Sequence, residues 1–200
     1  RQSTSDVVAL TNADLHVAAV ESNLTTSAAM GILLFNDQIL VTTAAALGEL
    51  ETVKVQLPDR SVNTANLVHI FPHNGIAVLQ IEQQFDQATF LRTLAKTSGI
   101  KYSQAFASGQ VVTVLLENPQ RLVVDQTSGQ AMITLRSSDS NEMDIWAYTE
   151  GAPVVDQSGR LIGLCTHIGA ALGFIPIQSI EKQIRALSDG DDIFSLSTAP

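Results

Sequence analysis

The stretch Thr52-Val53-Lys54-Val55-Gln56-Leu57 changes polarity at every residue. On a strand, Val53, Val55 and Leu57 share one face while Thr52, Lys54 and Gln56 share the other. Runs of this length recur along the chain. They are rich in Val, Ile, Leu and Thr and are broken by Gly, Asn, Asp, Pro and Ser. This pattern predicts strands at 15–21, 30–35, 38–42, 52–57, 66–71 and 76–82. After a less patterned stretch from 83 to about 107, a second series is expected at 110–117, 121–126, 131–136, 144–148, 153–155, 160–166 and 172–175. Asn36-Asp37 and Asp156-Gln157-Ser158-Gly159 sit between apolar runs and read as hairpin turns.

One helix stands out against this background. Ile177, Ile180, Ile184 and Leu187 step by three, four and three, giving one apolar stripe. Pro176 opens it and Gly190 closes it. Two strand groups, a connector and a terminal helix predict an all-β fold. It would consist of two six-stranded antiparallel β-barrels followed by a C-terminal α-helix. A β-sandwich fits the strand pattern but accounts less well for the helix. The expected boundaries within a single domain are 7–85 for the first barrel, 86–107 for the connector, 108–176 for the second barrel, 177–188 for the helix and 191–200 for a tail.

Composition narrows function. The chain has 200 residues, 45% of them hydrophobic, which suits a folded domain with a substantial core. The net charge of −9 opposes a phosphate backbone, so nucleic acid is excluded as a partner. The one cysteine, Cys165, allows neither an internal disulfide nor a cysteine zinc cluster. No apolar run has the length of a membrane span. Arg1 rather than Met opens the chain, as expected of an excised domain or processed product. Asn23-Leu24-Thr25 forms a glycosylation sequon that has meaning only in a eukaryotic secretory setting.

Four segments, in order, carry a resemblance. Met30 to Leu47 is similar to G-S-G-F-I-I-x-x-D-G-Y-I-L-T-N-N-H-V-V. Gly75-Ile76-Ala77-Val78-Leu79-Gln80-Ile81 is similar to D-L-A-V-L-K-I. Gly151 to Thr166 is similar to G-G-P-L-V-N-x-x-G-x-V-I-G-I-N-T, and Gly173-Phe174-Ile175-Pro176-Ile177 to G-F-A-I-P. From Val8 to Leu187 the chain thus resembles the trypsin/chymotrypsin superfamily, and within it the HtrA/Deg branch.

That resemblance implies a Ser-His-Asp mechanism, which needs a hydroxyl, an imidazole to take its proton and a carboxylate to orient the imidazole. Here the histidine position falls on Ala45, or on Ala46 if the alignment slips by one, and the aspartate position on Gly75, with Asn74 beside it. The serine position falls on Glu150. A carboxylate there is a poor nucleophile and opposes the charge of a developing oxyanion. The glycine whose amide serves the oxyanion in the family aligns with Tyr148, which is expected to prevent that turn and to fill the cleft. Loss of the serine alone would suit an engineered knockout, whereas loss at all three positions predicts a natural pseudo-protease with no catalytic residues. A rebuilt hydrolase would have to use Thr149 as nucleophile and His73 as base.

The binding readings are as follows. Trp146 and Tyr148 are expected to alternate along the strand at 144–148 and, with Thr149, to be candidates for contacting a peptide; core packing between the barrels is the competing reading. His73 and His167, with His69, are the candidates for a divalent transition-metal site. Degenerate HtrA-like domains of magnetosome proteins, credited with metal binding, make that alternative worth stating. The competing reading is ordinary loop histidines. His16 reads as a barrel-face residue and Cys165 as a buried small hydrophobe. The acidic residues Glu49, Glu51, Asp189, Asp191 and Asp192 read as solvated surface, and the chain has no phosphate loop. The expected function is therefore binding, scaffold or regulatory work on a protein or peptide partner, without a cofactor. The resemblance implies a periplasmic or extracytoplasmic setting, a membrane tether outside this chain and oligomeric partners.

Overall fold

In a computed structural model of the chain, residues 16–20, 29–34, 39–57, 60–72, 75–81, 107–116, 118–126, 132–139, 143–176 and 179–180 are described. The first strand group comprises β1 His16–Val20, β2 Ala29–Leu34, β3 Ile39–Thr43, β4 Thr52–Gln56, β5 Val62–Phe71 and β6 Ile76–Ile81. The second comprises β7 Val111–Val114, β8 Gln120–Gln126, β9 Ile133–Ser137, β10 Pro153–Val155, β11 Leu161–Ile168 and β12 Ala171–Pro176. Neighbours pair antiparallel in the orders β1-β2-β3-β6-β5-β4 and β10-β11-β12-β9-β8-β7. The first sheet closes where Ala19 meets Gln56 and Val20 meets Val55. The second closes where Val154 meets Val114 and Val155 meets Thr113. Both groups are thus six-stranded barrels, as the strand pattern predicts.

Burial explains why some strands alternate and others do not. On β4, Val53 and Val55 are buried while Thr52, Lys54 and Gln56 are exposed. On β3 every residue is buried, because both of its faces are covered. Leu40 points into the first barrel's own core with Leu33, Val55, Ala77 and Leu79. Ile39 and Val41 instead join Met30, Ile32, Ile76 and Val78 in a cluster that continues into the second barrel through Val112, Leu164 and Phe174. A strand buried on two faces reads as a continuous apolar run, and a strand wetted on one face alternates.

Several elements differ from expectation. The segment 144–148 is not a strand but a 3-10 turn, Ile145–Ala147. The Asp144 side chain accepts the Trp146 N–H at 3.1 Å, so a local side-chain bond replaces a sheet partner. Strand β5 starts at Val62 rather than 66. Its first half pairs with β4 and its second half with β6, with a register shift between Leu67 and His69. A short helix, α1 Ala44–Leu47, follows β3 and is capped by Thr43, whose hydroxyl accepts the Ala46 N–H at 3.3 Å. Asn36-Asp37 lies outside the described residues, but the strands it joins pair antiparallel, Leu34 opposite Ile39. Of the terminal helix expected at 177–188, Ser179 and Ile180 are described and helical, and Ile180 is buried in the core. The rest of that helix, the tail and the sequon lie outside the described residues.

Candidate functional site at the barrel seam

The three positions that the resemblance assigns to a catalytic triad do converge. Helix α1 carries Ala45 and begins where β3 ends. Its Ala44 N–H donates to the Gly75 carbonyl at 2.5 Å, which ties it to the turn before β6. One residue back, the Thr43 hydroxyl donates to Glu150 Oε1 at 2.8 Å. Thr43 and Ala44, beside Ala45, therefore touch the other two positions. What they hold is different chemistry. Ala45 presents an exposed methyl group. Gly75 has φ +68, a conformation that L side chains rarely adopt.

Glu150 lies in the turn before β10 and is 6% exposed. A charge so placed needs hydrogen-bond donors. Oε1 accepts from the Thr43 hydroxyl and, at 2.5 Å, from the Thr166 hydroxyl. Oε2 accepts the His167 backbone N–H at 3.1 Å and faces His167 Nδ1 at 2.8 Å. The Glu150 carbonyl accepts the Met30 N–H at 2.9 Å. Thr43 and Met30 belong to the first barrel, and Thr166 and His167 to the second. The next residue, Gly151, has φ +79, and a Cβ there would sit 2.0 Å from the Met30 carbonyl oxygen. The turn is pinned between the barrels by a carboxylate and by a backbone approach that only glycine permits.

His167 leads outward from this node. Its Nε2 lies 2.8 Å from the Ile145 carbonyl oxygen, and its ring stacks on Trp146 with centroids 5.0 Å apart at 12°. Trp146 is 73% exposed, while Tyr148 is buried. The expected alternation of the two aromatics fails because a 3-10 turn, unlike a strand, does not set successive odd or even residues on one face. Tyr148 has the extended values φ −94, ψ 127, and its N–H donates to Ile145 O at 3.2 Å. The amide that would face an oxyanion in the resembling family is thus directed to a neighbouring carbonyl. Burial pushes the Tyr148 phenol above its usual range, assisted by Cys165 and Asp144. Tyr148 and half-buried Thr149 line a cleft of 540 Å³ with Leu116, Gln120 and Asp144. A second cleft of 430 Å³, lined by Leu135, Ile145 and Leu172, borders the same turn.

The remaining candidates are dispersed. Cys165 is fully buried, and burial followed by the Glu150 carboxylate raises its thiol well above the ordinary range, so it presents no thiolate. His69 lies on β5, edge-on to Phe71 at 4.6 Å, and burial pushes its imidazole below the usual range. His73 lies outside the described residues. Among the described residues no three metal-ligating side chains come together. Both nitrogens of His167 face protein oxygens, so a metal would have to displace Glu150 or Ile145. Sequence reasoning missed Thr43 and Thr166. The available signal was the requirement that a carboxylate flanked by apolar strands be met by donors, and these two threonines end β3 and sit within β11.

Two antiparallel six-stranded barrels that share a seam define a chymotrypsin-like fold. The chain belongs to the trypsin-like peptidase domain family, whose pattern matches residues 29–164. Among solved structures it is similar to one described as HtrA-type protease AlgW with decapeptide. The TM-score is 0.63 at 14% identity, over 94% of this chain and 68% of that one, a likeness of fold. No curated relative matches the sequence.

Proposed function

We propose that this domain is a non-cleaving member of its family that binds a protein or peptide segment beside the barrel seam. The observation that carries the reading is Glu150. The serine position holds a buried carboxylate already engaged by two hydroxyls, a backbone amide and an imidazole. Position 45 offers only a methyl group to take a proton. Neither aligned position supplies a nucleophile or a base, and nucleophilic acyl transfer needs the two within hydrogen-bond reach of each other. The binding face in this reading comprises exposed Trp146 and the cleft lined by Tyr148 and Thr149. The similar HtrA-type protease was solved with a decapeptide, which supports a peptide as occupant. The reading includes an extracytoplasmic setting, with any membrane tether or further subunits supplied from outside this chain, and it requires no cofactor.

Two measurements test it. The protein should not turn over casein or activated esters, and should not react with a fluorophosphonate probe. Turnover that Thr149→Ala abolishes would replace this reading with a non-standard hydrolase. In a displayed library of extended peptides, binders should lose at least about tenfold in affinity on Trp146→Ala, as expected for a central aromatic anchor.

A further inference from the structure

We propose that the Glu150–His167 pair is a proton-operated latch that holds the Trp146 platform in its exposed position. The inference deepens the binding reading above, and its geometry stands without it.

The His167 ring lies between two oxygens, each at 2.8 Å: Glu150 Oε2 at Nδ1 and Ile145 O at Nε2. A carbonyl only accepts, and so does an ionised carboxylate. A neutral imidazole carries one N–H and can satisfy one of them, whereas the doubly protonated ring satisfies both. The contact geometry is therefore complete only when the pair holds two protons between them. Removing one leaves a lone pair facing an oxygen. That loss falls on Ile145, because the carboxylate contact is charge-assisted and Glu150 is fixed by Thr43, Thr166 and the His167 amide.

Ile145 starts the turn that carries Trp146, and the indole stacks on the same imidazole. A charged imidazole under an indole face adds a cation–π attraction. Proton loss thus removes the carbonyl contact and the cation–π part of the stack on Trp146. Among the described residues, the other titratable groups near the ring are Asp144, Tyr148 and Cys165. Asp144 caps the turn through the Trp146 N–H. Tyr148 and Cys165 are both shifted toward their neutral forms. Leu172, opposite His167 on β12, and Thr43 on β3 contribute none.

The chain has one tryptophan, so its emission reports this site alone. A charged ring stacked on indole quenches that emission. Emission from the full chain should rise with pH along a one-proton curve while far-UV circular dichroism stays constant. His167→Gln should abolish the curve, and Asp144→Asn should leave it in place. Flat emission in the unmodified protein, or an unchanged curve in His167→Gln, overturns the latch. Should His167→Gln fail to fold, ¹⁵N NMR of the assigned His167 ring decides. Both nitrogens protonated on the acid side support the latch, and one bare nitrogen at every pH overturns it. Peptide binding that weakens as emission rises supports coupling of latch to platform. Binding with flat emission removes the latch alone, and an emission curve without any binder removes the binding reading alone.

Discussion

A carboxyl group that is 6% exposed needs polar partners for its oxygens, and at Glu150 four groups meet them. Removing it leaves those donors facing a void. Glu150→Ala should cost about 3 kcal/mol, the magnitude for breaking a buried pair from one side. Glu150→Gln keeps the shape but turns one amide N–H₂ toward a donor, and should cost about 1 kcal/mol. Urea midpoints at constant slope would measure both. A Glu150→Ala midpoint indistinguishable from that of the unmodified protein would remove the structural role. Glu150→Ser should resemble alanine in stability and remain unlabelled by fluorophosphonate, because Ala45 supplies no base. That Ala45, Gly75 and Glu150 stand at the three aligned positions was legible from the sequence alone. The compensating donors were not, since Thr43 and Thr166 lie 107 and 16 positions from Glu150 in sequence. The packing of one barrel on the other brings Thr43 to Glu150, and the path of β11 within the second barrel brings Thr166.

At the scale of elements, legibility followed how each segment meets its hydrogen bonds. Strands satisfied by ladder partners announced themselves: β4 by alternation, and β3 and β6 by the apolar runs Ile39-Leu40-Val41 and Ile76-Ala77-Val78-Leu79. Segments satisfied by a single side chain did not. Ile145-Trp146-Ala147 has the composition of a strand, and one Asp144 oxygen makes it a turn. Likewise Thr43-Ala44-Ala45-Ala46-Leu47 continues an apolar run, and the Thr43 hydroxyl begins a helix there. These exceptions flank the seam, where the barrels leave no ladder for them to join. Asp144→Ala removes the acceptor for the Trp146 N–H and should cost about 1 kcal/mol, as loss of a helix cap does. Its effect should be local. Amide hydrogen exchange at Trp146 should accelerate while the strand amides of β8 and β9 keep their protection. Uniform acceleration across both barrels would show instead that the turn is part of the global core.

For the molecule as a whole, the core is not divided where the barrels are. One apolar cluster runs from Ile32, Val41 and Val78 of the first barrel into Val114, Leu164 and Phe174 of the second, with the Glu150 node at its rim. Exposing that seam to water would cost on the order of 25 cal/mol for each Å² of apolar surface uncovered. Separate unfolding of one barrel would uncover its half of the seam without relieving the other. The two barrels should therefore unfold together, in one cooperative transition. Cys165 offers an independent probe, because it is fully buried in β11 and burial holds its thiol in the unreactive protonated form. In urea, the loss of far-UV circular dichroism, the change in Trp146 emission and the gain of Cys165 reactivity toward a thiol reagent should share one midpoint. Glu150→Ala should move all three midpoints together to lower urea. A Cys165 that reacts while most of the circular dichroism remains would mean that the second barrel opens alone, and that the shared cluster does not couple the two.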